Sequence, residues 1–377
     1  MDLRTAFAEM TDQREPSVIR YRLADVVTLA LCALLAGADD WVEVTAFGEA
    51  NREWLQTWLD LPSGVPSHDT FGRIFAWLDP QEFMVGFTQW VQAVQARLPV
   101  PTAPRIRAID GKASRRSHDR LHNQPALHEV SVWASETRLI LANQAVTTKS
   151  NEITAIPLLL RQLDVRGCLV TIDAMGCQTA IAQQILDQGA DYVLAVKGNQ
   201  LTLHEEVQEC FAQATTDDLA SVAEVWGKDP GRQERRRAAV STDAAILAWV
   251  QEEHHWPGLQ ALGRIESERR WPTGEVEQQT RYYVLSAPLS ATAFQQAVRS
   301  HWGIENQVHW VLDRVFHEDA SRVRVGHGAE NFTLLRRLAL NLLRQDTSNT
   351  SLKVRRKKAG WNRTYLLHLL SFLLQPS

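Results

Sequence analysis

Cys168-Leu-Val-Thr-Ile-Asp173 is almost unbroken in its apolar character and closes on a carboxylate. A strand buried on both faces of a sheet reads this way, because in-out alternation disappears when neither face meets water. Upstream, Arg105-Ile-Arg-Ala-Ile-Asp110 alternates, closes on a second acid and breaks at Gly111. Between the two, Glu129 to Ala134 and Leu139 to Val146 have strand composition, and the short gap separating them predicts a hairpin. Ser150-Asn151 supplies capping side chains for a helix over Glu152 to Leu163. Downstream, the apolar spacing predicts a helix over Gln178 to Gln188 and a strand over Tyr192 to Val196.

Three strands, helix, strand, helix, strand is the order of the RNase H-like fold. The fold class expected is therefore α/β, with a mixed five-stranded sheet and flanking helices. From about Gly198 to Arg281 the pattern changes to a polar helix near Leu201 to Phe211, an arginine-rich segment, and short strands near Leu259 to Glu268 and Glu277 to Ser286. We read this as a β-rich insertion. Two long helical patterns follow, Ala291 to Arg314 and Asn331 to Leu343. Residues 1–98 carry several helical patterns joined by loops, and Trp41, Trp54, Trp58, Trp77 and Trp90 read as core aromatics. The expected organisation is an all-α N-terminal domain over 1–98, the first part of a core over 99–200, an insertion over 201–285, the second part of the core over 286–345, and a basic tail or helix over 346–377.

A chain of 377 residues, 45% apolar, can bury a large core without staples. Its four cysteines form no CxxC pair, which points to reduced thiols and a cytoplasmic setting. A zinc site on His118, His122, Cys168 and Cys177 would lack compact finger spacing. The start has no secretion signal, and the apolar run Val26 to Ala38 is too short to span a bilayer. The net charge of −4 does not exclude nucleic acid, because binding follows where basic groups cluster. Clusters stand at Arg105 to Arg116, Arg232 to Arg237 and Lys353 to Lys358.

Two acids at the ends of neighbouring strands can meet at one sheet edge, and Glu305, on a later helix, can pack across it. Acids converging from separate elements are what two divalent ions flanking a phosphate require. His301 and His309 lie four residues before and after Glu305, on the same helical face.

Gly64-Val-Pro-Ser-His-Asp-Thr-Phe71, Ile109-Asp-Gly-Lys112, Thr171-Ile-Asp-Ala-Met-Gly-Cys-Gln178, Asp191 to Gln200, His301-Trp-Gly-Ile-Glu-Asn306 and His309-Trp-Val-Leu-Asp313 together form a specific set. With Glu318-Asp319 and Ala339 to Leu343, it resembles the H-repeat-associated, ISAs-group transposases of bacterial insertion sequences, members of the DDE superfamily. The resemblance spans nearly the whole chain. It implies metal-binding and catalytic roles for Asp110, Asp173 and Glu305, two Mg2+ (or Mn2+) ions, DNA cleavage at the element ends and strand transfer into target DNA. The implied partners are terminal inverted repeats and target DNA, bound by a homodimer, with no membrane.

Related groups carry a tyrosine, an arginine and a lysine at positions that here hold Val298, His301 and Leu312. Phosphate contacts are therefore sought at Lys112, Lys197, Arg299, His301 and Arg314, and in the basic run Arg355, Arg356, Lys357 and Lys358. A DNA nuclease that does not rejoin strands, or a domesticated DNA-binding protein, would share much of this pattern.

Overall fold

The computed structural model describes residues 7, 10–15, 17, 19–99, 104–118, 125–146, 152–215, 219–229 and 232–374. Its strands are β1 (Ile106–Ala113), β2 (His128–Ala134), β3 (Leu139–Val146), β4 (Leu169–Ile172), β5 (Asp191–Val196), β6 (Ser221–Asp229), β7 (Arg232–Ser241), β8 (Ala261–Arg270) and β9 (Val276–Leu285). They form one sheet in the order β3-β2-β1-β4-β5-β9-β8-β7-β6. β1, β4 and β5 run parallel; β2 and β3 extend one side as an antiparallel pair, and β9 to β6 extend the other as an antiparallel meander.

The expected five strands thus become nine. The segment read as an insertion does not stand apart from the sheet: β9 pairs with β5, Leu194 opposite Val284, and continues it. β6 and β7 escaped the sequence reading because Arg232-Gln-Glu-Arg-Arg-Arg237 carries charge on both faces and shows no alternation. β1 also runs further than expected, passing Asp110 to Ala113.

Helices cover the sheet. In chain order they are α1 (Leu23–Ala36), α2 (Trp41–Ala50), α3 (Arg52–Leu55), α4 (His68–Trp77), α5 (Pro80–Gln95), α6 (Glu152–Gln162), α7 (Thr179–Asp187), α8 (Leu201–Gln213), α9 (Ala244–His254), α10 (Ala291–Gly303), α11 (Trp310–Val315), α12 (Gly328–Gln345), α13 (Leu352–Trp361) and α14 (Arg363–Leu374). Two begin on side-chain caps: the Ser67 hydroxyl accepts from Thr70 N at the start of α4, and Asp79 accepts from Gln81 N before Pro80 at the first position of α5; Ser150 and Asn151, expected to cap α6, lie outside the described residues.

The amphipathic α12 joins the layers. Its Asn331 amide donates to the carbonyls of Phe75 and Leu78 at the end of α4, both at 2.8 Å. One turn pattern further, Asn341 accepts from Ile140 N (2.9 Å) and donates to Ile140 O (2.8 Å), so a side-chain amide takes the place of a further strand beside β3. One apolar core runs from α1 through the sheet to α12 and α14. Trp41 and Trp90 are buried in it, whereas Trp77, expected in the core, is 58% exposed because it lies on the outer face of α4.

Candidate active site

The parallel register between β1 and β4 ends at Ile109 opposite Ile172. The next residue in each segment is an aspartate, so Asp110, still within β1, and Asp173, just past the end of β4, stand side by side. Asp173 accepts from Met175 N at 3.0 Å and caps the short turn Ala174–Gly176. That turn is braced from the turn that follows β5, where Asn199 and Gln200 donate to the carbonyls of Ala174 and Cys177. At Gly111 a Cβ would collide with the Glu152 carboxyl, which is hydrogen-bonded to His128. The glycine after Asp110 is therefore a matter of space.

Glu305 arrives from the opposite side. α10 runs into a π-helical turn, Ile304–His309, and then into α11, so the single helix predicted from Ala291 to Arg314 is present with one widened turn at the glutamate. Such turns carry an extra residue and re-aim side chains. Here Glu305, 54% exposed, and His309, buried, face Asp110. The His309 Nδ1 lies 3.0 Å from Glu305 Oε2 and 3.6 Å from Asp110 Oδ2. One ligand atom from each of these three residues lies within 4.8 Å of the others.

Asp110, Asp173, Glu305, His301 and Lys197 line one cleft of about 280 Å³, together with Arg281 and Trp302. Burial pushes the Asp110 carboxyl up to about 6; His309 opposes this, while Asp173 and Glu305 add to it. The hydrogen bond from His309 holds Glu305 below the usual carboxylate range. Burial depresses His301 to about 4, and its Nδ1 sits 3.2 Å from Thr171 Oγ1, so this imidazole is neutral at pH 7. A crowded, partly dehydrated set of oxygen donors like this suits a hard divalent cation.

The positively charged residues singled out from the sequence divide sharply. Lys197 is exposed at the cleft. Lys112 is buried, its Nζ 2.9 Å from Asp313 Oδ1, 2.9 Å from Glu318 Oε2 and 3.3 Å from Asp319 Oδ1. Burial disfavours its charge, but these acids keep it protonated. Arg299 is exposed and lines a different groove beside Trp133 and Arg138. Arg314 is exposed over the Trp310 ring, 6.0 Å from its centroid.

In the basic run, Arg356 turns inward, donating to Leu34 O (2.8 Å), Ala38 O (2.7 Å) and Asp39 Oδ1 (2.7 Å). Arg355 donates to the carbonyls of Leu343 and Ser348, while Lys357 and Lys358 are exposed. Cys168 and Cys177 are buried free thiols, and burial pushes both up; His122 lies outside the described residues.

Beneath the acids lies a network that the sequence did not announce. Arg337, fully buried, reaches Glu129 Oε2 at 3.2 Å and Glu318 Oε1 at 3.1 Å. Burial raises Glu129 despite Arg337, whereas Glu318, shared between Arg337 and Lys112, is held low although it is also buried. The network carries β1, β2, α12 and the turn Glu318–Ala320 as one unit behind Asp110.

Acids converging from two interior strands and a helix can hold divalent cations, and comparison with known proteins gives the family. The chain belongs to the DDE transposase family: the transposase DDE domain model matches residues 88–342, and the DDE_Tnp_1-associated model matches residues 4–91. It is 38% identical over 367 residues to "Putative transposase YncI" of Escherichia coli O157:H7, covering 96% of this chain and 92% of that one. It is 35% identical to "H repeat-associated putative transposase YhhI" of Escherichia coli (strain K12), covering 96% and 95%. An uncharacterised protein from the dhlA 3′ region of Xanthobacter autotrophicus is 44% identical over 71% of this chain and 88% of its own. No helix among the described residues is long and apolar enough to cross a membrane.

Proposed function

We propose that this chain is an insertion-sequence transposase that cuts DNA at the ends of its element and joins the freed ends to target DNA. Asp110, Asp173 and Glu305 are its catalytic acids. The observation that carries the reading is the register pair Ile109 and Ile172, which sets Asp110 and Asp173 abreast, with Glu305 aimed into the same cleft. The strand order β3-β2-β1-β4-β5 supports an RNase H-like core, and β9 to β6 extend it. The helical residues 1–98 and the exposed Lys357 and Lys358 are the regions proposed to read and hold the element ends.

The three acids would hold two magnesium or manganese ions. When bound, such ions acidify a water molecule and offset charge on the leaving oxygen. Around them, Lys197 and Arg281 receive the phosphate, and the neutral His301 holds Thr171 at the end of β4 beside Asp173. In the first step water attacks phosphorus and the bond to the 3′ oxygen breaks, leaving a free 3′ hydroxyl. In the second, that hydroxyl attacks a target phosphodiester in the same cleft. Holding two element ends together calls for two such clefts, hence a homodimer on DNA.

The test is a cleavage and joining assay on candidate element ends with magnesium. We expect nicked and joined products, with Asp173→Ala reducing both by about 1000-fold or more. Pre-cut 3′ ends that remain unjoined while intact ends are nicked would favour a nuclease without strand transfer. No magnesium-dependent nicking at all would leave a DNA-binding protein.

A further inference from the structure

We propose that His309 is a nitrogen ligand to the cation shared by Asp110 and Glu305, so that one of the two metal positions has a mixed nitrogen and oxygen donor set. This rests on the reading of the cleft as a metal-holding site. The imidazole is 3% exposed, and its Nδ1 faces both carboxylates, at 3.0 Å from Glu305 Oε2 and 3.6 Å from Asp110 Oδ2. Metal–ligand bonds of about 2.0–2.3 Å place the donor atoms of one cation no more than about 4.6 Å apart. The three ligand atoms lie within 4.8 Å of one another, so a small rotamer adjustment closes them on one ion.

While its Nδ1 faces the two acids, the His309 Nε2 is buried with no hydrogen-bond partner among the described residues. A histidine placed for packing would be expected to satisfy that nitrogen. The π turn supplies the reason for its position, because the widened segment packs on β1 and brings residue 309 to Asp110. Asp173 does not belong to this set of three. It lines the same cleft from the neighbouring strand, where it would serve the second ion.

The donor type has a consequence for metal choice. Magnesium keeps to oxygen ligands, while manganese and cobalt accept imidazole readily. The chain should therefore bind Mn2+ more tightly than Mg2+, and His309 should account for much of the difference.

The experiment is pulsed electron paramagnetic resonance of Mn2+ added to the purified full chain. Nitrogen hyperfine coupling is expected from one imidazole, changing in the required way when histidine is labelled with 15N, which needs no variant. In His309→Gln, whose folding is checked by thermal melting, the coupling should vanish and Mn2+ affinity fall about 10-fold, with a smaller change for Mg2+. Mn2+ that is lost in Asp110→Asn yet shows no histidine nitrogen in the wild type would overturn the proposal while leaving the acids as metal ligands. Mn2+ binding untouched by Asp110→Asn would remove both this proposal and the metal-site reading beneath it.

Discussion

Arg337 shows how much a single interior charge can hold together. It has no exposed surface, it compensates Glu129 and Glu318 at once, and it also donates to Thr333 O at 3.3 Å. Arg337→Met would leave two buried carboxylates with Lys112, and for Glu318 also Arg336, as nearby cations, and the expected loss is about 3–5 kcal/mol. Denaturant unfolding of the two proteins at pH 7 checks this; a change under 1 kcal/mol would mean that water already compensates the acids. At this scale the sequence was informative where chemistry is local. Asp173 follows an apolar strand and Asp110 follows the alternating start of another, and that pattern is visible in a few residues, although β1 runs on to Ala113. Lys112, expected at phosphate, turns inward to Asp313, Glu318 and Asp319, which lie far along the chain, and no local pattern reveals an inward lysine. His309 was noticed only through its four-residue spacing from Glu305, which could not show that it reaches β1.

Among the elements, the helix from Ala291 to Val315 was legible in length but not in its π turn, since the apolar spacing on either side is ordinary. If the extra residue of that turn aims Glu305 and His309, removing Asn306 should restore a regular helix and misplace both side chains. We expect circular dichroism and melting temperature close to wild type, with cleavage reduced by about 100-fold or more. Cleavage that survives the deletion would show that the turn is incidental.

The start of α12 offers a pH test. Burial raises Glu330 to about 7, with Glu129 and Asp79 adding to the rise. The folded protein therefore prefers this carboxyl protonated, and stability is lost as pH climbs from the unfolded value near 4.5 through about 7. Glu330→Gln should match wild type near pH 5 and exceed it at pH 8 by about 1–2 kcal/mol, after allowance for partial exposure. Equal stabilities at pH 8 would contradict the assigned shift.

For the whole molecule, the strands of the core and the acids they carry could be read in advance, but the joining of β9 to β5 could not. Strands such as Arg232 to Ser241 carry charged residues on both faces over their outer half, where Glu234 is buried and Arg236 and Arg237 are half-buried in ion pairs, so the apolar signal of a strand is missing from the sequence itself. The C-terminal basic run shows the same limit, since Arg355 and Arg356 serve the interior and only Lys353, Lys357 and Lys358 remain on the surface. If that surface meets phosphate, Lys357→Glu with Lys358→Glu should weaken binding of a duplex element end at every salt concentration. It should also flatten the dependence of log K on log salt by about two. An unchanged slope would move the contact elsewhere.

The guanidinium that pairs with Glu129 sits on α12, which follows every strand of the sheet in chain order. While the ribosome is still adding that helix, the interior behind Asp110 holds carboxylates it cannot yet accommodate. A chain cut before α12 therefore keeps Asp110, Asp173 and Glu305 but loses the charge that lets Glu129 and Glu318 be buried beneath them.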